Sequence, residues 1–107
     1  IFQREAEAIT KYQDKEGLWW DIIDLQGKEK NYHESSASAM FVYSLAKGVR
    51  QGNLPEKYLQ TANKGWAGIK KKFIKELSDG NLDWEGTVSV SGLGGNPYRD
   101  GSYEYYM

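Results

Sequence analysis

The chain has 107 residues, room for one small domain and not two. Its 14 basic and 15 acidic side chains leave a net charge of −1, which argues against nucleic acid or an anionic membrane as partner. No apolar run approaches a membrane span or resembles a signal peptide. The absence of cysteine excludes disulfides and thiolate metal sites, a lone histidine, His33, argues against zinc, and neither metal nor cofactor is expected.

Four Trp, eight Tyr and three Phe make aromatic rings the main currency of burial. The chain opens at Ile1 already inside an amphipathic pattern and stops within the aromatic run Tyr105-Tyr106-Met107. It is therefore expected to be a piece of a longer chain, by design or by proteolysis.

Phe2, Ala6, Ile9 and Tyr12 recur at helical spacing with charged residues between them, and predict a half-buried helix ended by Gly17. Leu18 to Leu25 is apolar and partly β-branched, so a short extended segment is expected, running into a loop at Gln26–Lys30. Of the paired tryptophans, Trp19 is the candidate to lie along a cleft wall, core being the alternative. Asp21 and Asp24 are not a convincing acid/base pair on spacing alone.

Ser35 or Ser36 is suited to cap a helix that carries no charge until Lys47, so a helix from about Ser36 to Gly48 is expected to be enclosed on all sides. Tyr32, His33 and Glu34 cluster at its positive end, and Glu34 is read first as a carboxylate stabilised there, with substrate contact as the alternative. Gly52 and Pro55 mark a short turn between antiparallel helices. From Pro55 to about Leu77, the residues Leu59, Ala62, Trp66, Ile69, Phe73 and Leu77 form one stripe, with lysines mostly elsewhere; the run Lys70–Lys72 reads as a solvated face. Ser78-Asp79-Gly80-Asn81 is turn chemistry, and Leu82/Trp84 with Val88/Val90 around Glu85-Gly86 predict a small β-hairpin.

The stretch 91–106 holds four glycines and Pro97 within its first eleven positions, which present Tyr98, Arg99, Asp100 and Ser102 in fixed directions. Either it serves a ligand or the glycines only turn corners while the tyrosines pack. Buried and half-exposed helices alternate, with short turns at one end and long loops at the other, which is the pattern of a helical toroid. Three helices cannot close such a ring. The chain is expected to leave apolar surface open or to associate with copies of itself.

The strings Gly17-Leu18-Trp19, Asn31-Tyr32-x-Glu34-Ser35-Ser36-Ala37-Ser38-Ala39-Met40-Phe41, Leu45-Ala46-Lys47-Gly48-Val49-Arg50 and Gly92-Leu93-Gly94-Gly95-x-Pro97-Tyr98-Arg99-Asp100-Gly101-Ser102-x-Glu104-Tyr105-Tyr106 resemble the unsaturated rhamnogalacturonyl hydrolases. These form glycoside hydrolase family 105, akin to the unsaturated glucuronyl hydrolases of family 88. The resemblance spans nearly the whole chain, with Trp20 at a position where the family often carries another aromatic. It implies an all-α fold with a small β-hairpin, residues 1–107 being the carboxy-terminal portion of an (α/α)6 barrel catalytic domain with a pocket at its loop-rich mouth.

The implied substrate is an oligosaccharide that a lyase has left with a 4,5-unsaturated uronic acid at its non-reducing end. An Asp protonates the vinyl-ether double bond, water adds, and the hemiketal collapses, without a metal. The family's acid and its Trp-x-Arg-Gly-x-x-Trp motif lie upstream of the matched strings. No Trp-x-Arg-Gly string occurs here, so none of Asp14, Asp21, Asp24, Asp79, Asp83 or Asp100 is assigned as the acid, and the isolated chain is expected to be inactive. Expected substrate contacts are Arg99, Tyr98, Tyr32, Glu34 and Trp19. For Arg99 the alternative is a structural pair with Asp100, Glu104 or Glu34. A non-catalytic carbohydrate-binding or structural helical module is the alternative function, and a bacterial cytoplasm or periplasm is left open.

Overall fold

A computed structural model describes all residues from Ile1 to Met107. In chain order it forms α1 (Phe2–Tyr12), α2 (Ser35–Arg50), α3 (Lys57–Lys72), a two-stranded antiparallel sheet of β1 (Ile74–Glu76) and β2 (Leu82–Trp84), and a last turn of helix, α4 (Tyr103–Tyr106). The fold is mostly helical with one small hairpin, as the sequence predicts.

α2 and α3 are antiparallel: Gly48 meets Leu54 beside the turn, and Val42 meets Gly65 midway. α1 runs against α2, Phe2 lying over Gly48, and alongside α3, where the Thr10 and Thr61 hydroxyls are bonded. Two small cores result. Ala6, Leu45, Leu54, Tyr58 and Ala62 pack near the short turn, while Leu18, Ile69 and Phe73 pack at the opposite end under the long loops. Between them sits Trp19, fully buried, edge-on to Phe41 and donating its Nε1–H to the Ile9 carbonyl at 2.8 Å.

Several boundaries differ from expectation, each for a local reason. α1 stops at Tyr12, before Gly17, because Asp14 turns its carboxylate onto the backbone: Oδ1 accepts from the Glu16 and Leu18 N–H groups. The Leu18–Leu25 segment is extended only around Trp20, which bridges to His33; beyond it, Asn31 bonds Ile22 and Leu25 and folds the chain into turns. α3 ends at Lys72 and not near Leu77, and the β-branched Ile74 starts a strand. The hairpin is thus one element earlier than predicted. Ile74 pairs with Trp84 and Glu76 with Leu82, around a turn in which Asp79 Oδ1 accepts from Asn81 N–H, whereas Gly86 lies against the Phe73 ring.

The expected stripe on α3 is also corrected. Trp66 is 47% exposed; Ala62 and Ile69 are buried as expected, and Tyr58, Thr61, Gly65 and Gly68 complete the buried face, the two glycines letting the helix approach its neighbours. α2 is enclosed on only one side: Met40 and Tyr43 are 61% and 60% exposed. These side chains form an open apolar face on a flattened molecule of 44 × 44 × 24 Å.

The close approach at Gly68 is checkable. A Cβ there would lie 2.3 Å from the Glu16 carbonyl oxygen, an atom of backbone that cannot swing away. Gly68→Ala, although favourable for helix propensity, is expected to lower stability by about 1–3 kcal/mol in denaturant unfolding. A stabilised variant would show that α3 does not pack on the Asp14–Leu18 loop as described.

Candidate functional site

The loop 13–34 and the segment 85–88 meet where α2 begins and α3 ends, and this mouth holds Glu34 and the Asp14–His33–Lys72 cluster. Its centre is Glu34, which is 3% exposed. The residue caps α2 from inside the expected serines: Oε1 accepts from Ser36 N–H at 3.2 Å and Val88 N–H at 3.0 Å, Oε2 accepts from Ala37 N–H at 2.6 Å, and the Ser36 hydroxyl reaches both oxygens. Burial works to raise its carboxyl, but these donors outweigh burial and hold it below the usual carboxylate range. Glu34 is therefore a structural cap, and its oxygens are engaged within the protein rather than with substrate.

Trp19 and Trp20 divide because adjacent side chains of an extended segment point to opposite sides. Trp19 goes into the core and has no face for a sugar, which corrects its place among the contacts. Trp20 goes to the mouth. Together with Asn31, Tyr32, His33, Lys72, Phe73, Glu85 and Gly86 it lines an open cavity of about 390 Å³. Of the expected contacts, Tyr32 is the one in this lining. Burial, Asp21 and Glu34 together raise its phenol, which stays a neutral hydroxyl able to donate. Asp21 is the one carboxyl of the mouth pushed upward, by burial and then by the negative Glu34.

Beside the cavity lies a network that the sequence did not disclose. Asp14 Oδ2 accepts from Trp20 Nε1–H at 3.1 Å and stands 2.5 Å from His33 Nε2. His33, tilted 44° against Trp20 with ring centroids 4.4 Å apart, turns its Nδ1 to Lys72 Nζ at 2.5 Å. With the proton on Nε2, both bonds of the imidazole are satisfied. Burial works to raise Asp14, yet His33 and the Leu18 and Glu16 amides hold it below its ordinary value. Asp14, Glu16 and His33 also place one ligand atom each within 4.8 Å of one another. That arrangement does not fit a divalent cation, because the ammonium of Lys72, also 3.7 Å from Glu16, already fills the side facing Nδ1. The local signal was Asp14 two residues before Glu16 and three before Gly17, an Asx turn; its partners 6 and 19 positions away carried none.

The glycine-rich stretch folds on itself. Gly94 and Arg99 exchange backbone bonds of 2.8 and 3.0 Å, closing a small loop that contains a cis Asn96–Pro97 bond. Arg99 folds over its own loop: Nε–H donates to the Gly94 carbonyl at 2.8 Å and Nη2 to Leu93 at 3.4 Å. Only glycine fits at Gly95, where φ is +85° and a Cβ would lie 2.9 Å from the guanidinium. Arg99 makes no ion pair with Asp100, Glu104 or Glu34. Asp100 instead accepts from Ser102 N–H, and Tyr98 projects outward, 78% exposed. Arg99 and Tyr98 do not line the Trp20–Tyr32 cavity.

A carboxyl whose native pKa is depressed stabilises the fold fully above its unfolded value, about 4, and loses that contribution as pH falls through the native value. Glu34 and Asp14 should therefore give an acid limb of unfolding below about pH 4. Asp21 acts in the opposite sense, its contribution being lost as pH rises through its raised value. Glu34→Gln turns amide hydrogens toward backbone donors. It is expected to cost about 1–3 kcal/mol at neutral pH and to flatten the acid limb in urea titrations from pH 2 to 7; an unchanged limb would remove Glu34 from this role.

The family model described as Glycosyl Hydrolase Family 88 matches residues 1–107. The 24.9 kDa protein in the picA locus of Rhizobium radiobacter is 35% identical over 111 residues, covering 98% of this chain and 48% of its own length. An unsaturated 3S-rhamnoglycuronyl hydrolase of Formosa agariphila is 28% identical over 92 residues, covering 85% of this chain and 23% of its own. A family 105 glycoside hydrolase of C. acetobutylicum superposes with a TM-score of 0.90 at 41% identity, over 94% of this chain and 28% of that one. A possible family 105 member from Salmonella enterica gives 0.73 at 30% identity, over 95% of this chain and 23% of that one. The chain spans about half the length of the first curated relatives it matches. With a match that runs unbroken from Ile1 to Met107, the chain belongs to glycosyl hydrolase family 88.

Proposed function

We propose that the chain is one sector of an (α/α)6 toroid, the carboxy-terminal portion of its catalytic domain. The enzyme would remove a 4,5-unsaturated uronic acid from the non-reducing end of lyase-generated rhamnogalacturonan oligosaccharides. The family match along all 107 residues carries this reading, and the names of the Formosa and Clostridium proteins support it. The open face at Met40 and Tyr43 is where a neighbouring helical pair of the toroid would pack.

In this reading the chain binds and another part of the protein supplies the acid. The carboxylates of Asp14 and Glu34 are filled by hydrogen bonds, and Asp79 and Asp100 are occupied with turns at Asn81 and Ser102. Trp20 offers a ring and Tyr32 a hydroxyl to the sugar in the mouth cavity. Arg99 has five N–H donors, of which its own loop uses two, so the rest are on offer to the uronate carboxylate, with Tyr98 alongside.

The test uses the enzyme that contains this chain and an unsaturated rhamnogalacturonan disaccharide, followed by loss of its double-bond absorbance. Arg99→Ala is expected to raise KM about tenfold with kcat nearly unchanged, and Arg99→Lys to recover only part, because the planar fork is lost. A lowered melting temperature with an unaltered KM would reduce Arg99 to a fastening of its loop. Cleavage of saturated glycosides with no action on the unsaturated disaccharide would overturn the reading as a whole.

A further inference from the structure

The helix run Lys70–Lys72 reads in sequence as a solvated face, but the fold gives two of these lysines a different setting. Lys64, Lys71 and Lys72 of α3, Lys15 of the loop after α1 and Lys75 of β1 converge around one groove of about 560 Å³, floored by Leu18, Ala67 and Gly68. Five ammonium groups thus face one carboxylate, Glu16, in a molecule whose overall charge is −1. Only Lys72 has a carboxylate within 4.0 Å. The dipole of α3 favours cations in its last turn and so accounts for Lys71 and Lys72, but not for Lys15, Lys64 or Lys75, which lie outside that turn.

We propose that this groove binds an acidic carbohydrate, a polyuronate chain whose carboxylates lie among the lysines. The groove contains no arginine to grip a phosphate bidentately and no aromatic ring on which nucleic-acid bases would stack. Lysines on separate flexible stems suit carboxylates dispersed along a polymer, and their methylene stems with the exposed Ala67 suit the C–H faces of pyranose rings, Leu18 lying buried beneath. Glu16 is tolerated by so sparse a charge. The groove shares Lys72 with the mouth cavity, so a chain lying in it has its end directed to Trp20 and Tyr32. The ligand class rests on the function proposed above; the convergence of charge does not.

The experiment titrates the protein with saturated galacturonate oligomers, which carry no double bond, so binding is read independently of hydrolysis. Lys15→Ala, Lys71→Ala and Lys75→Ala combined are expected to weaken binding about tenfold. The three arginine replacements should retain it, and removal of three lysines elsewhere (Lys11, Lys28 and Lys57) should leave it unchanged. Methyl-esterified oligomers should bind far more weakly, and salt should suppress binding. On the unaltered chain, amide chemical shifts should move at residues 15, 64, 71 and 75. Equal binding of esterified oligomers, equal loss in the remote lysine variant, shifts confined to other residues, or competition by inorganic phosphate at matching concentration would each overturn the proposal. Persistent galacturonate binding alongside failure to turn over unsaturated uronides would overturn the hydrolase and leave the groove standing.

Discussion

One carboxylate fastens three parts of the chain. Glu34 receives the first amides of α2, the amide of Val88 from the late loop and the hydroxyl of Ser36, while its own backbone N–H bonds the Trp19 carbonyl at 3.0 Å. The buried N-terminus of a helix leaves donors that must be met, and here a single side chain meets them with charge as well as geometry. The loop after β2 is held at the mouth largely by this bond and by Ser35 N–H on the Gly86 carbonyl. With it in place, Trp19 is fixed in the core, and the next residue is necessarily turned out toward the cavity.

How much of this was legible in the residues divides along a clear line. Helices declared themselves where large apolar residues recur at helical spacing; the cap of α2, read as Ser35 or Ser36, is Glu34, although its stabilisation by that helix end was read. The buried face of α3 was misread because its contacts are made by absence: Gly65 and Gly68 bury nothing of their own and admit Val42 and Leu18 instead. Of the expected stripe, Ala62, Ile69 and Phe73 are buried as read, while Trp66 and Leu77 have the right spacing but lie 47% and 44% exposed. The hairpin was displaced for a related reason, since Phe73 and Leu77 continue the helical period past the point where Ile74 begins a strand.

The mouth was less legible than the helices. Arg99 beside Asp100 invites an ion pair, yet the nearest acceptors for a guanidinium in a tight loop are the carbonyls of that loop. The Asp14–His33–Lys72 relay joins residues from three segments, and no spacing announces it. Convergence of lysines on one groove is of the same kind. Each lies on an ordinary solvated surface when read along the chain, and only folding reveals that five of them share one hollow.

The two oxygens of Asp14 have separate duties. Oδ1 holds the loop that follows α1, and Oδ2 holds Trp20 and His33 at the cavity wall. A ligand held against the indole would therefore bear on the same carboxylate that keeps the loop folded. Occupancy and folding are thermodynamically linked through that group: a ligand that favours this placement of Trp20 raises the resistance of the loop to unfolding, and anything that loosens the loop weakens the ligand by the same factor. Selection for sugar affinity at this wall would then register as thermal tolerance, even with no change elsewhere in the helices.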